Sequence, residues 1–138
     1  KSYGRCFLRC VKIPKKLWPE TYARFVKTYY YIARVFVPGT EEHRAVVDEF
    51  DNVLGAVSYS IESDHAYVYS LGSRRAGVGS RLMAHVERVA AKRGFGVRLA
   101  SERSAVGFYA RRGYRKTPGQ ATNCKIFYMR LYFSRIME

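Results

Sequence analysis

The chain has 138 residues and no internal linker or repeat, which predicts one domain over 1–138 with room for a single core. A hydrophobic fraction of 48% with 15% aromatics excludes a disordered or low-complexity chain. No apolar run reaches the roughly 18 residues of a bilayer span and no secretory leader pattern opens the sequence, so a soluble cytoplasmic protein is the expectation. Three cysteines, Cys6, Cys10 and Cys124, without C-x-x-C or Cys/His spacing, point to neither a disulfide framework nor a metal site. The net charge of +14 is unevenly spread. Residues 74–138 carry 15 Lys/Arg against Glu87, Glu102 and Glu138, whereas residues 41–64 hold seven acids and Arg44.

In chain order, Tyr3 to Val11 reads as a strand closed by Pro14. From Trp18 the apolar positions 22, 25, 26, 29, 32, 33 and 36 recur at helical spacing, and Pro38-Gly39 ends that helix. Glu41 to His43 reads as loop. Ala45 to Phe50 and Val53 to Ile61 flank an Asp51-Asn52 turn as a hairpin, and Ala66 to Leu71 adds a third strand. Leu82, Met83, Val86, Val89 and Ala90 mark the apolar face of a second helix, whose polar face includes His85; His43 likewise reads as a surface residue. Val97 to Ala100 is a short strand, Ser101 an N-cap, and Glu102 to Arg112 a third helix closed by Gly113. Tyr114 to Thr117 and Lys125 to Phe133 complete a β-α-β-β-β-α-β-α-β-β order. The fold class is therefore mixed α/β.

Between the third strand and the second helix stands Ser73-Arg74-Arg75-Ala76-Gly77-Val78-Gly79-Ser80. A helix start leaves four backbone N–H groups unpaired, and the helix dipole adds about half a positive charge there, so an anion is favoured. Glycines let backbone approach a phosphate without an intervening Cβ, and Ser80, Arg74 and Arg75 add a hydroxyl and charge. Leu82 replaces the third glycine of a dinucleotide fingerprint, and Gly79-Ser80 lacks the lysine of a P-loop, so neither nucleotide fold is indicated.

The pattern Arg74-x-x-Gly77-x-Gly79, followed by Ala105-Val106-Gly107-Phe108-Tyr109 and Gly113-Tyr114, resembles the acetyl-coenzyme A motif and the A-x-x-F-Y…G-F segment of the GCN5-related N-acetyltransferase (GNAT) family. The resemblance covers roughly Val53 to Lys116. It implies a central, mostly antiparallel mixed sheet with helices on both faces and transfer of an acetyl group from acetyl-CoA to a primary amine, with no metal. By resemblance, the backbone of Arg75, Ala76, Gly77, Val78, Gly79 and Ser80 binds the pyrophosphate with Arg74 beside it. The strand at Tyr69 to Leu71 pairs with the pantetheine arm, and Tyr109 donates to the coenzyme sulfur. Glu102 departs from an asparagine common in the family at that position.

No motif identifies the general base. The candidates are Asp48 and Glu49 on the first hairpin strand, of which only one can face the slot, together with Glu62, Asp64 and His65; Glu49 is the expectation. The basic C-terminal half suits an anionic macromolecule, whether nucleic acid, tRNA or acidic protein, as acceptor or carrier. The alternative to an enzyme is a catalytically degenerate fold of the same family that binds nucleic acid or protein.

Overall fold

A computed structural model of the chain describes residues 8–13 and 42–133. The expected helix from Trp18, the first part of the N-terminal strand and Cys6 lie outside the described residues, as does the cover that helix would give to one sheet face. Seven strands form one sheet: β1 (Arg9–Lys12), β2 (Glu42–Val47), β3 (Val53–Ile61), β4 (His65–Ser73), β5 (Gly96–Glu102), β6 (Arg115–Lys116) and β7 (Ile126–Leu131). Their order is β1-β2-β3-β4-β5-β7-β6, and every neighbouring pair is antiparallel except β4 with β5. Among the described residues two α-helices, α1 (Val78–Lys92) and α2 (Val106–Arg111), are inserted after β4 and β5.

Period two is plain in β5, where Val97, Leu99 and Ser101 are buried and Arg98, Ala100 and Glu102 are exposed. Helix α1 buries Leu82, Met83, Val86 and Ala90 on one stripe. That stripe packs against Val46, Val57, Val68, Leu99 and Met129 of the sheet, and Tyr109, Tyr114 and Phe127 complete the cluster. Each buried Val, Leu, Met or Phe of that cluster contributes about 1.5–3 kcal/mol by leaving water. Gly94 (φ 73°) stops α1, with the Phe95 amide donating to the Ala90 carbonyl, and Gly113 (φ 99°) stops α2.

Two irregularities position the site. Ser58 pairs with Ser70 while Tyr59 pairs with Val68, so β4 carries one extra residue at Tyr69, and Leu71 returns to the face that packs on α1. The parallel ladder between β4 and β5 then covers only His65–Val68 against Gly96–Leu99. Beyond it the two strands run on to Ser73 and Glu102 without pairing with each other, leaving a slot between them.

Several expected boundaries move. β2 begins at Glu42 rather than after a loop and ends at Val47, because the Asp48 carboxylate accepts the amides of Phe50 and Asn52, both at 2.8 Å, and closes a turn there. Ser101 is not an N-cap. β5 continues through Glu102, held by β7 pairing at Phe127 and Ile126, and the Ser101 hydroxyl donates to the Glu102 carbonyl. A 3₁₀ turn, Arg103–Ala105, precedes a helix of six residues, so the expected helix from 102 starts four residues late.

Candidate active site

The glycine turn sits where β4 ends at the mouth of the slot. Gly77 caps α1 with φ 85°, ψ −17°, a left-handed conformation that an L-residue adopts only under strain. Gly79 has ordinary dihedrals, and a Cβ there would lie 3.5 Å from the Phe108 ring and 3.7 Å from Ser73 Oγ. That places Phe108 of α2 over the first turn of α1. No side chain caps α1, no acid lies in its first turn, and the amides of Gly79 and Ser80 have no acceptor among the described residues. Converging uncapped amides at the positive end of a 15-residue helix fit the diphosphate of a coenzyme.

The slot is walled by Tyr69 to Ser73 on one strand and Ala100 to Glu102 on the other. Tyr69 is half-buried, its hydroxyl 3.1 Å from Ser60 Oγ and its ring edge-on to Tyr67 at 5.0 Å. Tyr109 is 7% exposed, wedged between the rings of Phe108 (5.0 Å) and Tyr114 (5.6 Å). Burial, and then the charge of Glu102 at the end of β5, push its phenol up to about 12, so it keeps its proton at any ordinary pH. Helix α2 is braced from below: the Glu87 carboxylate of α1 accepts Arg112 Nη2 at 2.5 Å, Arg112 Nε at 3.1 Å and Tyr114 Oη at 3.0 Å.

Residues 9–114 match the model of the Acetyltransferase (GNAT) family. The chain belongs to the GNAT family. Solved structures agree in fold. The ribosomal-protein-S18-alanine N-acetyltransferase from Escherichia coli is 14% identical over 91% of this chain and 93% of its own, with a TM-score of 0.69. PaiA N-acetyltransferase from Thermoplasma acidophilum, solved with coenzyme A, gives 15%, 92%, 99% and 0.66, and a GNAT acetyltransferase from Staphylococcus aureus Mu50 gives 13%, 91%, 99% and 0.65. No curated protein matches the chain by sequence.

Tyr69 and Leu71 lie on the part of β4 that bounds the slot, the 74–80 turn follows at its mouth, and Tyr109 sits in the core on α2, close enough to the end of β5 to feel the Glu102 charge. None of the candidate bases lies on the parts of β4 and β5 that wall the slot, although Asp48 is near enough to the 74–80 turn to feel the Arg75 charge. Asp48 and Glu49 lie in the β2–β3 turn, not on a strand, so the expectation that one of them faces the slot loses its premise. Asp48 is engaged in closing that turn, and the exposed Glu49 stands beside it, with β3 and β4 between their strand and the slot. Glu62 accepts a hydrogen bond from Ser60 Oγ, and Asp64 accepts one from His65 Nδ1 at 2.7 Å, both at the end of β4 away from the slot mouth.

Two histidines read as surface residues are not. His43 is 1% exposed, and His85 is half-buried with Nε2 3.1 Å from the Tyr59 hydroxyl. Burial holds both at about 4, helped at His85 by the charges of Arg44 and Arg88. Arg112, one of the 15 Lys/Arg of residues 74–138, belongs to the brace under α2. The signal for that brace was the isolation of Glu87, an acid in a helix otherwise lined with bases.

Proposed function

We propose that the chain transfers an acetyl group from acetyl-CoA to a primary amine by direct attack in the slot between β4 and β5. The observation that carries this reading is the uncapped start of α1 behind Gly77 and Gly79, at the mouth of the slot between β4 and β5. The turn at Arg74 to Ser80 holds the diphosphate, and the side of β4 that faces β5 without pairing, at Tyr69 and Leu71, takes the pantetheine arm through its main chain. When bound, the coenzyme supplies an activated acetyl thioester.

Tyr109 acts as a hydrogen-bond donor rather than a full acid. A phenol near 12 surrenders its proton to a thiolate of ordinary pKa, roughly 8.5, only at a cost of about 4–5 kcal/mol, so the stabilisation is that of a charge-assisted hydrogen bond. For the base, Glu102 is better sited than Glu49. It ends the slot wall, and its charge reaches the Tyr109 phenol. A carboxylate there in place of the family's asparagine takes the proton of the incoming amine directly or through one water.

Calorimetric titration with acetyl-CoA, paired with a thiol-release assay on a panel of amines, tests the reading. Binding in the micromolar range that Gly77→Glu and Gly79→Glu remove, with turnover on some amine, is expected. Binding without thiol release on any amine would favour the degenerate, non-enzymatic alternative. Absence of binding would overturn the acetyl-transfer reading and leave only the degenerate, non-enzymatic alternative.

A further inference from the structure

The face of β5, β7 and β6 carries a row of arginines that the acetyl-transfer reading does not use. Arg98 of β5 lies directly opposite Arg130 of β7, and Arg130 lies directly opposite Arg115 of β6. Directly opposed residues share a face, and strands stand about 4.8 Å apart, so three guanidinium groups leave one face side by side. Arg98 and Arg115 are exposed and Arg130 is half-buried. None of the three forms an ion pair among the described residues. Asp64, close enough to feel the Arg98 charge, has its carboxylate engaged by His65, and Glu102 lies four positions further along β5. Like charges directly opposed across a ladder destabilise a sheet, so the row brings the fold no benefit that an anion would not supply.

A stripe of aromatic side chains crosses that row. Alternation along β7 puts Tyr128 on the face of Arg130, and Tyr132 follows on the same face just past the strand end. Tyr128 is 57% and Tyr132 63% exposed, and the Arg130 guanidinium carbon stands 5.2 Å from the centre of the Tyr132 ring. In the same register row Tyr67 of β4 is the neighbour of Arg98, half-buried and close enough to sense the Tyr128 phenol. Exposed rings beside a line of guanidinium groups provide both elements that hold an unpaired nucleic-acid strand: cations for its phosphates and π-faces for its bases. An acidic peptide would use the arginines and leave the tyrosines idle.

We propose that this face, centred on Arg98, Arg130, Arg115, Tyr128 and Tyr132, docks single-stranded nucleic acid. The surface stands independently of the acetyl-transfer reading. The row lies one register step before β4 and β5 part, so a bound strand would run past the slot.

The test is fluorescence anisotropy of a labelled single-stranded RNA of about 12 nucleotides, a length within the site sizes of such surfaces, titrated with the full chain at several salt concentrations. Three neutralised phosphates give a slope of log K against log salt of about −2. The triple variant Arg98→Gln/Arg115→Gln/Arg130→Gln should lose about that slope and bind at least about tenfold more weakly at low salt. Tyr128→Ser/Tyr132→Ser should weaken RNA binding about tenfold and leave the slope unchanged. If the triple variant does not fold, Arg115→Gln alone, on the two-residue edge strand β6, should still remove roughly a third of the slope. Unchanged affinity and slope in the arginine variants would overturn the proposal. So would polyglutamate competing as well as RNA with the tyrosine variant indistinguishable from wild type, which would mark the face as one for acidic protein. Acetyl-CoA titration of the same variants separates the two readings: retained coenzyme binding with lost RNA binding locates the defect on this face, and RNA binding without any coenzyme binding would refute the acetyl-transfer reading alone.

Discussion

Gly77 and Gly79 look equivalent in the sequence and are not equivalent in space. Gly77 needs its positive φ, so Gly77→Ala is expected to cost about 1–2 kcal/mol even though nothing lies within 4 Å of the added methyl. Gly79→Ala meets only ordinary contacts with Phe108 and Ser73 and should change stability by less than about 0.5 kcal/mol. Urea denaturation of the two alanine variants checks the difference, and equal losses would show that the left-handed cap is not where the glycine requirement lies. At Tyr109 the raised pKa makes a separate prediction. Tyr109→Phe should lower turnover about tenfold or more with coenzyme affinity near normal, because it removes one hydrogen bond worth roughly 1.5 kcal/mol or more to a charged partner. Steady-state rates beside calorimetry decide it, and native turnover in the variant would remove Tyr109 from the reaction. His43 and His85 give a pH prediction. Both are held near 4 against about 6.5 in the unfolded chain, so the unfolded state binds their protons first. Their contribution to stability is complete above pH 6.5 and is lost as pH falls from 6.5 toward 4. The thermal midpoint should drop across that window, and His85→Gln should flatten part of the drop.

Helix α2 is only six residues long, too short to hold itself together in isolation, so its position depends on what it packs against. Phe108 reaches the start of α1, Tyr109 enters the core, and Arg112 with Tyr114 ties the far end to Glu87. Glu87→Gln keeps the shape and removes the charge that Arg112 neutralises. A fully buried pair broken on one side costs 3–5 kcal/mol. Here the side chains are 14% and 20% exposed, and about 2 kcal/mol is expected. Because the Tyr114 ring abuts Tyr109, the same substitution should lower kcat more than it raises KM for the coenzyme. A variant with native melting and native kcat would show the brace to be idle. At the level of the strands, the extra residue at Tyr69 and the end of pairing at Val68 and Leu99 together open the slot. Neither depends on a side chain that a motif would display.

Across the whole molecule, the charge of +14 is arranged by the sheet as much as by the chain. Arg98, Arg115 and Arg130 are far apart in sequence and fall in one row because β6, last but one in the chain, is placed at the sheet edge by antiparallel pairing with β7. Arg112 and Arg111 are neighbours in sequence, yet Arg112 is consumed by Glu87 while Arg111 is exposed on α2. Charge reversal at Arg112 would therefore report on stability, and a charge-reversal study of anion binding belongs on the sheet face instead.

The local signals were sufficient where local physics decides. Strand alternation in β5, the apolar stripe of α1 and the glycine turn at its start were legible because each is set by residues within one or two turns of one another. The family was legible as a resemblance in Arg74, Gly77, Gly79 and the Phe108-Tyr109…Gly113-Tyr114 segment, and that resemblance implied the central sheet. Ser101 failed as an N-cap because cross-strand pairing of Ser101 with Phe127 and of Glu102 with Ile126, 26 and 24 residues apart, extends β5 past the point where a capping residue appeared to begin a helix. Asp48 and Glu49 failed as strand residues because a carboxylate closing its own turn outcompetes one more ladder pair. Burial of His43 and His85, the Glu87 brace and the arginine row are products of pairing between distant segments. The sequence alone determined which groups the chain possesses and where its helices and strands begin to form; only the tertiary structure decided which of those groups meet, since burial and charge act through distance in space and not along the chain.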